Sequence, residues 1–194
     1  MSKMNKLSKL LLIDLECTCN DDPPLPKGEA EIIEIGMVLG QLGSKGFTVI
    51  DELQLYIQPT ARPILTRFCT ELTGIEQKTV NDAPLLKAAL KQLADFLEKH
   101  SPSAWGSWGK FDARQIEMET ANKSLPNPLA SMPHHNIKQL FARKRGHRVG
   151  LARAVQLSGL SFQGRHHSGL DDTRNIGRLI DHDDLLREAV MKRI

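Results

Sequence analysis

A chain of 194 residues, 40% hydrophobic and 25% charged, is long enough to bury a substantial core without a disulfide framework or a structural metal. Its three cysteines, Cys17, Cys19 and Cys69, cannot all pair, which excludes the secreted disulfide scaffolds and fits a reducing cytoplasm. The net charge of +3 is small but unevenly spread. Thr120 to Leu170 contains no acid, yet holds Lys123, Lys138, Arg143, Lys144, Arg145, Arg148, Arg153 and Arg165. That distribution suits a polyanion as well as it suits a solvated helix face.

Met1 to Leu12 carries three lysines ahead of an apolar run that Asp14 interrupts, too soon for a membrane span. No small-residue cleavage site follows, so the segment reads as a ragged end leading into a strand, with no membrane partner. Leu10 to Leu15 is that strand, buried and nearly continuous in apolar residues. A Pro- and Asp-rich loop follows, Cys19 to Lys27. Glu31 to Leu39 and Phe47 to Ile57 are two further strands, joined through Gly40 to Gly46, and three strands in succession predict an antiparallel meander. Glu34, inside the second strand, calls for a salt bridge or a functional role. Pro84 to His100 is a helix with Leu86, Leu90, Leu93 and Leu97 on one face and Pro84 in its first turn. Ala104 to Trp108 is a short central strand, with a helix over Phe111 to Ala121 behind it. Ile137 to Arg145, Leu151 to Leu157 and Leu170 to Ile180 are helices. Strands first and helices later, with one strand between helices, predict an α/β or α+β layer fold on a mixed sheet, in one domain spanning 1–194.

Asp14 and Glu16 lie two apart on a strand, so both side chains leave the same face. Two like charges held together repel unless a cation lies between them, and hard oxygen donors suit Mg²⁺ or Mn²⁺. Alone, such a pair is also an ordinary strand end with two solvated acids. Asp112 follows the short strand, where open α/β folds place ligands, but a helix N-cap has the same signature. In His166-His167-Ser168-Gly169-Leu170-Asp171-Asp172, a helix beginning near Leu170 puts Asp172, Ile176, Leu179 and Ile180 on one inward face. A buried carboxylate without a partner is costly, which a metal would explain, while Asp171 points elsewhere and can cap the helix; taken alone, the cluster is also a helix cap plus a surface histidine. Taken together, the order D-x-E, D, H-x4-D meets the needs of phosphodiester hydrolysis, in which two metals about 3.5–4 Å apart serve an in-line displacement and a histidine takes the proton of water.

These residues resemble the DEDDh 3′–5′ exonucleases, and within them the Eri-type, histone-mRNA 3′-exonuclease-like branch. The likeness runs over about 9–180. It rests on Leu11 to Cys19, Glu31 to Gly36, Phe68 to Ile75, Trp108 to Asp112 and, most specifically, Gly164 to Ile176. It implies an RNase H-like exonuclease fold with a mixed five-stranded sheet flanked by helices. It implies that Asp14, Glu16, Asp112 and Asp172 hold two Mg²⁺ ions, for which Mn²⁺ can substitute, with Asp14 touching both. His167 is then the general base and nucleoside 5′-monophosphates are the products. His166 to Asp171 has the same spacing as His167 to Asp172; the family pattern and the helix face both favour the second pair. Phe68 and Phe111 correspond to positions that stack the terminal base, although animal members often have Trp where this chain has Phe111. Thr73 falls on the same wall, Met37, Leu72 and Trp108 in the core or the pocket wall, with Leu72 taken as substrate-binding, and Arg165 with the Arg143 to Arg148 cluster along the phosphate backbone. The substrate implied is single-stranded RNA, read from its 3′ end. The competing readings are a DNA exonuclease, a non-catalytic nucleic-acid-binding module, and a zinc-binding domain on Cys17, Cys19, His134 and His135, whose spacing does not match structural zinc sites.

Overall fold

The structure is a computed structural model that describes residues 7–26, 28–143 and 145–194. The expected ragged end before Leu7, Lys27 at the end of the Pro-rich loop and Lys144 of the basic cluster lie outside the described residues. The strands are β1 (Ser8–Cys17), β2 (Ile32–Gly43), β3 (Gly46–Tyr56), β4 (Ala104–Ser107) and β5 (His134–Asn136), and the helices relevant to the site are α1 (Arg67–Thr73), α3 (Leu86–His100), α4 (Phe111–Asn122) and α7 (Gly169–His182). Between them stand α2 (Gln77–Asn81), α5 (Ile137–Arg143) and α6 (Leu151–Leu157), and α8 (Asp184–Met191) follows.

The five strands lie in the order β3-β2-β1-β4-β5. β1 pairs antiparallel with β2 and β2 with β3, the expected meander. β4 pairs parallel with β1 and β5 with β4, which makes the sheet mixed. The alternation of strand side chains divides the core in two. Leu11, Ile13 and Leu15 of β1 pack with Leu86, Leu90 and Leu93 of α3 and Ile116 of α4. Leu10 and Leu12 pack on the opposite face with Ile176, Leu179 and Ile180 of α7 and with residues of α5, α6 and α8. Each such side chain, fully buried, contributes about 1.5–3 kcal/mol. Asp14 and Glu16 have the parity of Leu12, so both carboxylates leave the sheet on the side that α7 covers.

Two glycines set how closely that side closes. A Cβ on Gly36 of β2 would lie 2.0 Å from the carbonyl carbon of Gly169, so the backbone of α7 begins directly on the sheet. A Cβ on Gly40 would lie 2.1 Å from the ring of Phe47, which fills that gap and continues the core toward Gly177.

Some boundaries depart from the sequence reading. The link between β2 and β3 is only Ser44–Lys45, because both strands run on through the glycines. Pro84 is not in the first turn of α3: it precedes the helix, and its carbonyl accepts the Gln58 amide at 3.0 Å. α5 ends at Arg143 rather than Arg145. Four elements escaped the sequence reading: α1, α2, β5 and α8. Two had readable ends, since Thr66 caps α1 by accepting from the Cys69 amide at 3.0 Å, and Asp183 caps α8 by accepting from the Leu186 amide at 3.0 Å. α8 buries Leu186 and Val190, so packing continues past 180.

Candidate active site

β1 delivers Asp14 and Glu16 at its carboxyl end. Glu16 is buried and pairs in register with Glu34 of β2, so two acids face each other across the sheet. Burial, and then the nearby Asp172, Glu34 and Asp112, push the Glu16 carboxyl up to about 8. Burial also drives Asp14 well above the usual carboxylate range, and Asp112, Asp172, Glu16 and Glu34 add to the effect. The site cannot hold all of its negative charges without a cation.

Asp112 is not a helix cap. α4 begins at Phe111, and Asp112 stands in its first turn, where an acid complements the helix dipole. Its Oδ1 accepts the Leu15 amide at 3.1 Å, which draws the start of α4 against the strand between Asp14 and Glu16. Burial raises its pKa, although the hydrogen bonds from Ser107 and the Leu15 amide act against that.

α7 supplies the fourth carboxylate. Asp172 is buried on the face that carries Ile176, Leu179 and Ile180, as the periodicity requires. Burial raises its pKa to about 6, against the contrary pull of His166. Asp171 does not cap the helix. It lies inside the first turn, where its Oδ2 accepts the Arg165 amide at 2.9 Å and its Oδ1 the Arg174 guanidinium at 3.1 Å. His166 Nδ1 lies 3.1 Å from Asp172 Oδ1, and the His167 ring stacks on it with centroids 4.1 Å apart. His167 adopts φ +64°, a left-handed conformation that histidine tolerates better than most residues. Burial, and then His166 and Arg165, hold its imidazole below the ordinary range, which favours the neutral form that accepts a proton.

Oxygens of Asp14, Glu16 and Asp172 lie within 4.8 Å of one another, as do His166, His167 and Asp172. Among the described residues no lysine or arginine pairs with those three acids. The donor set is hard and anionic, so it fits a divalent cation. Asp112 is tied to the strand between Asp14 and Glu16 through the Leu15 amide. No cluster among the described residues joins Cys17 or Cys19 to His134 or His135; His134 instead meets the Ser107 hydroxyl at 2.9 Å.

The expected substrate wall divides. Phe111 is 56% exposed and follows Lys110 at the mouth of the site; Phe68 and Leu72 are half-buried on α1. Thr73 is buried with both hydroxyl roles occupied, donating to Cys69 O at 2.8 Å and accepting from the Ile75 amide at 3.1 Å. The Arg165 guanidinium donates to Glu71 O at 2.6 Å and lies over Gly74, which leaves the helix end at φ +76°. It thus straps the histidine loop to α1. Trp108 donates its indole N–H to Val149 O at 3.1 Å. Met37 is fully buried in the core.

Glu34 has no basic partner among the described residues, so the salt bridge, one of its two readings, is not made. It accepts from Gln54 Nε2 at 2.8 Å and from the Leu170 amide at 3.2 Å. An acid in an apolar strand run was the signal; its pairing with the first turn of α7 was not readable.

The Exonuclease (RNase_T) family profile matches residues 11–180. The human protein named ERI1 exoribonuclease 2 is 34% identical over 88% of this chain and 27% of its own length. The Schizosaccharomyces pombe protein named 3′-5′ exonuclease eri1 is 31% identical over 90% of this chain and 67% of its own. The solved nuclease domain of 3′hExo, described as a DEDDh family member bound to rAMP, superposes with a TM-score of 0.81 at 24% identity, over 100% of this chain and 94% of that one. The chain spans about a quarter of the human relative.

Proposed function

We propose, for a chain that belongs to the Exonuclease (RNase_T) family, that this site hydrolyses the terminal phosphodiester of a single-stranded nucleic acid from its 3′ end. We read RNA as the preferred substrate over DNA and nucleoside 5′-monophosphates as the products. The observation that carries the reading is the convergence of three carboxylates within 4.8 Å, with Asp112 bound to the strand between two of them. The family is divalent-metal dependent, and the names of both curated relatives support an exonuclease, the human one an exoribonuclease.

Asp14, Glu16, Asp112 and Asp172 would hold the metal, read as two Mg²⁺ ions; bound there, they supply the positive charge that a phosphodiester needs when a nucleophile attacks it. His167, kept neutral by burial, accepts the proton of the attacking water. His166, bonded to Asp172, holds the stacked His167 ring in place. Phe111 and Phe68 take the terminal base by stacking, which tolerates any base. Leu72 contributes to that wall, while Thr73 and Arg165 fix it from behind. Among the described residues no helix is long and apolar enough to cross a membrane. Three free thiols support a reducing, cytoplasmic setting.

The test is incubation with 5′-labelled single-stranded RNA and the matching DNA, in Mg²⁺ and in EDTA, beside Asp14→Ala. Ladders that shorten from the 3′ end only in Mg²⁺, are absent in the variant and form faster on RNA support the reading. Faster loss of DNA moves the substrate to DNA. An inert wild type on both strands in Mg²⁺ and Mn²⁺ sinks the enzyme and leaves a binding module.

A further inference from the structure

Beyond the carboxylates, at the carboxyl ends of β4 and β5, the surface folds into a small cavity of about 190 Å³. Lys110 stands on one side, His135 and Asn136 form the floor, and Gln139, Arg143 and Arg193 complete the wall. No acid lines it. Several arginines elsewhere are neutralised, Arg145 by Asp183, Arg174 by Glu52 and Arg187 by Asp184. Lys110, Arg143 and Arg193 have no ion-pair partner among the described residues. Three unpaired cations around one concavity repel one another, which an anionic occupant would relieve.

The floor has donors of the right kind. His135 Nε2 is buried and has no hydrogen-bond partner, an arrangement that calls for an explanation. Burial, and then Arg193, hold His135 below its ordinary range, so it offers a neutral ring N–H rather than a further charge. Asn136 Oδ1 is occupied by the Gln139 amide at 2.9 Å, which fixes the side chain and leaves its NH₂ to donate. Guanidinium, ammonium, amide and imidazole donors around a small opening match the tetrahedral oxygens of a phosphate.

The place matters as much as the chemistry. Lys110 is two residues before Asp112, and Asn136 pairs in register with Ser107 at the end of β4. The cavity and the acidic site therefore open at the same end of the sheet. We propose that this cavity is a second phosphate-binding site, which takes a backbone phosphate of the strand whose 3′ end lies at the carboxylates. The assignment rests on the exonuclease reading for its occupant, not for its anion chemistry. It gives the enzyme a grip on long substrates that short ones lack.

The experiment uses the whole chain carrying Arg143→Gln and Arg193→Gln together. Both side chains are exposed, and an unchanged melting temperature confirms the fold. In an Asp14→Asn background, anisotropy of a labelled RNA of about twelve nucleotides is followed across salt. The slope of log Kd against log salt is expected to fall by about 0.7, the loss of one phosphate contact on a single strand. In the active background, the ratio of kcat/KM on that RNA to kcat/KM on a dinucleotide is expected to fall about tenfold. An unchanged slope overturns the proposal, and so does an equal loss on both substrates. Inorganic phosphate that perturbs the His135 resonance without competition from RNA also overturns it, in favour of a free-anion site. A wild type that cleaves nothing defeats the exonuclease reading, yet the salt slope still decides the cavity.

Discussion

The buried carboxylate of Glu34 accepts the amide of Leu170 at 3.2 Å, so a side chain of β2 fixes the first turn of the helix that carries Asp172. We expect Glu34→Ala to destabilise the protein by about 1–3 kcal/mol, the cost of leaving a buried donor without its acceptor, and to lower kcat more than it raises KM. Glu34→Gln keeps an acceptor oxygen and should recover most of both losses. Urea melts beside steady-state rates check this; equal damage from both variants would mean that charge, not position, is what Glu34 supplies.

The metal-free protein should lose stability as pH rises from about 4.5 to about 8. The folded-state pKa of Glu16 is raised from 4.5 to about 8 and that of Asp172 from 3.8 to about 6. Between the lower and upper values the folded chain keeps protons that the unfolded chain has released, so stability is full below about pH 4 and drains away as pH rises through about 6 and then 8. At about 1.4 kcal/mol per pH unit, Glu16 alone can account for up to about 5 kcal/mol. Melting temperatures in EDTA should fall across that window, and Mg²⁺ should restore them most at the alkaline end. A flat profile in EDTA would refute the crowding of charge.

The two adjacent histidines should separate kinetically. His167→Ala removes the proposed base and should lower kcat by about 10²–10⁴. His166→Ala removes a support and should cost about tenfold or less, with a weaker Mg²⁺ dependence through Asp172. Because burial lowers the His167 pKa, the acid limb of kcat at saturating metal should fall below pH 6.5. Single-turnover rates that invert this order would transfer the base to His166.

Phe111 is exposed and anchors nothing in the core, so Phe111→Ala should leave the melting temperature unchanged. It should weaken binding of a single-stranded 3′ end by about 1–3 kcal/mol, the worth of one stacked base. Anisotropy in an Asp14→Asn background measures it, and undiminished affinity would remove Phe111 from the substrate site.

Gly36→Ala should be among the most damaging small changes. Its Cβ would lie 2.0 Å from backbone of Gly169, which no side-chain rotation relieves, so α7 must lift off the sheet. We expect a loss of about 3 kcal/mol or more, read by thermal melting, and near-abolished activity as Asp172 moves away from Asp14.

What the sequence determined by itself is everything that local periodicity and spacing control. Alternation put Asp14 and Glu16 on one face, and the 3.6-residue repeat turned Asp172 inward with Ile176. The meander, the long helix after Pro84 and the mixed sheet followed from apolar runs and their breakers. Elements below that threshold were invisible: β5 is three polar residues that become a strand only because β4 pairs with them, and α1 and α2 are too short to show a period.

Only the tertiary structure decided who touches whom. Asp112, which taken alone could also have been a cap, holds the Leu15 amide, and Asp171, read as a cap, holds the Arg165 amide instead. Glu34, read as a salt-bridge or a functional residue, holds an amide 136 residues away, and Arg165, expected along the phosphate backbone, also straps the histidine loop to α1. The physical reason is that a hydrogen bond is won by proximity in space, where the chain's crossovers bring partners together. Periodicity reports only which way a side chain leaves its own element.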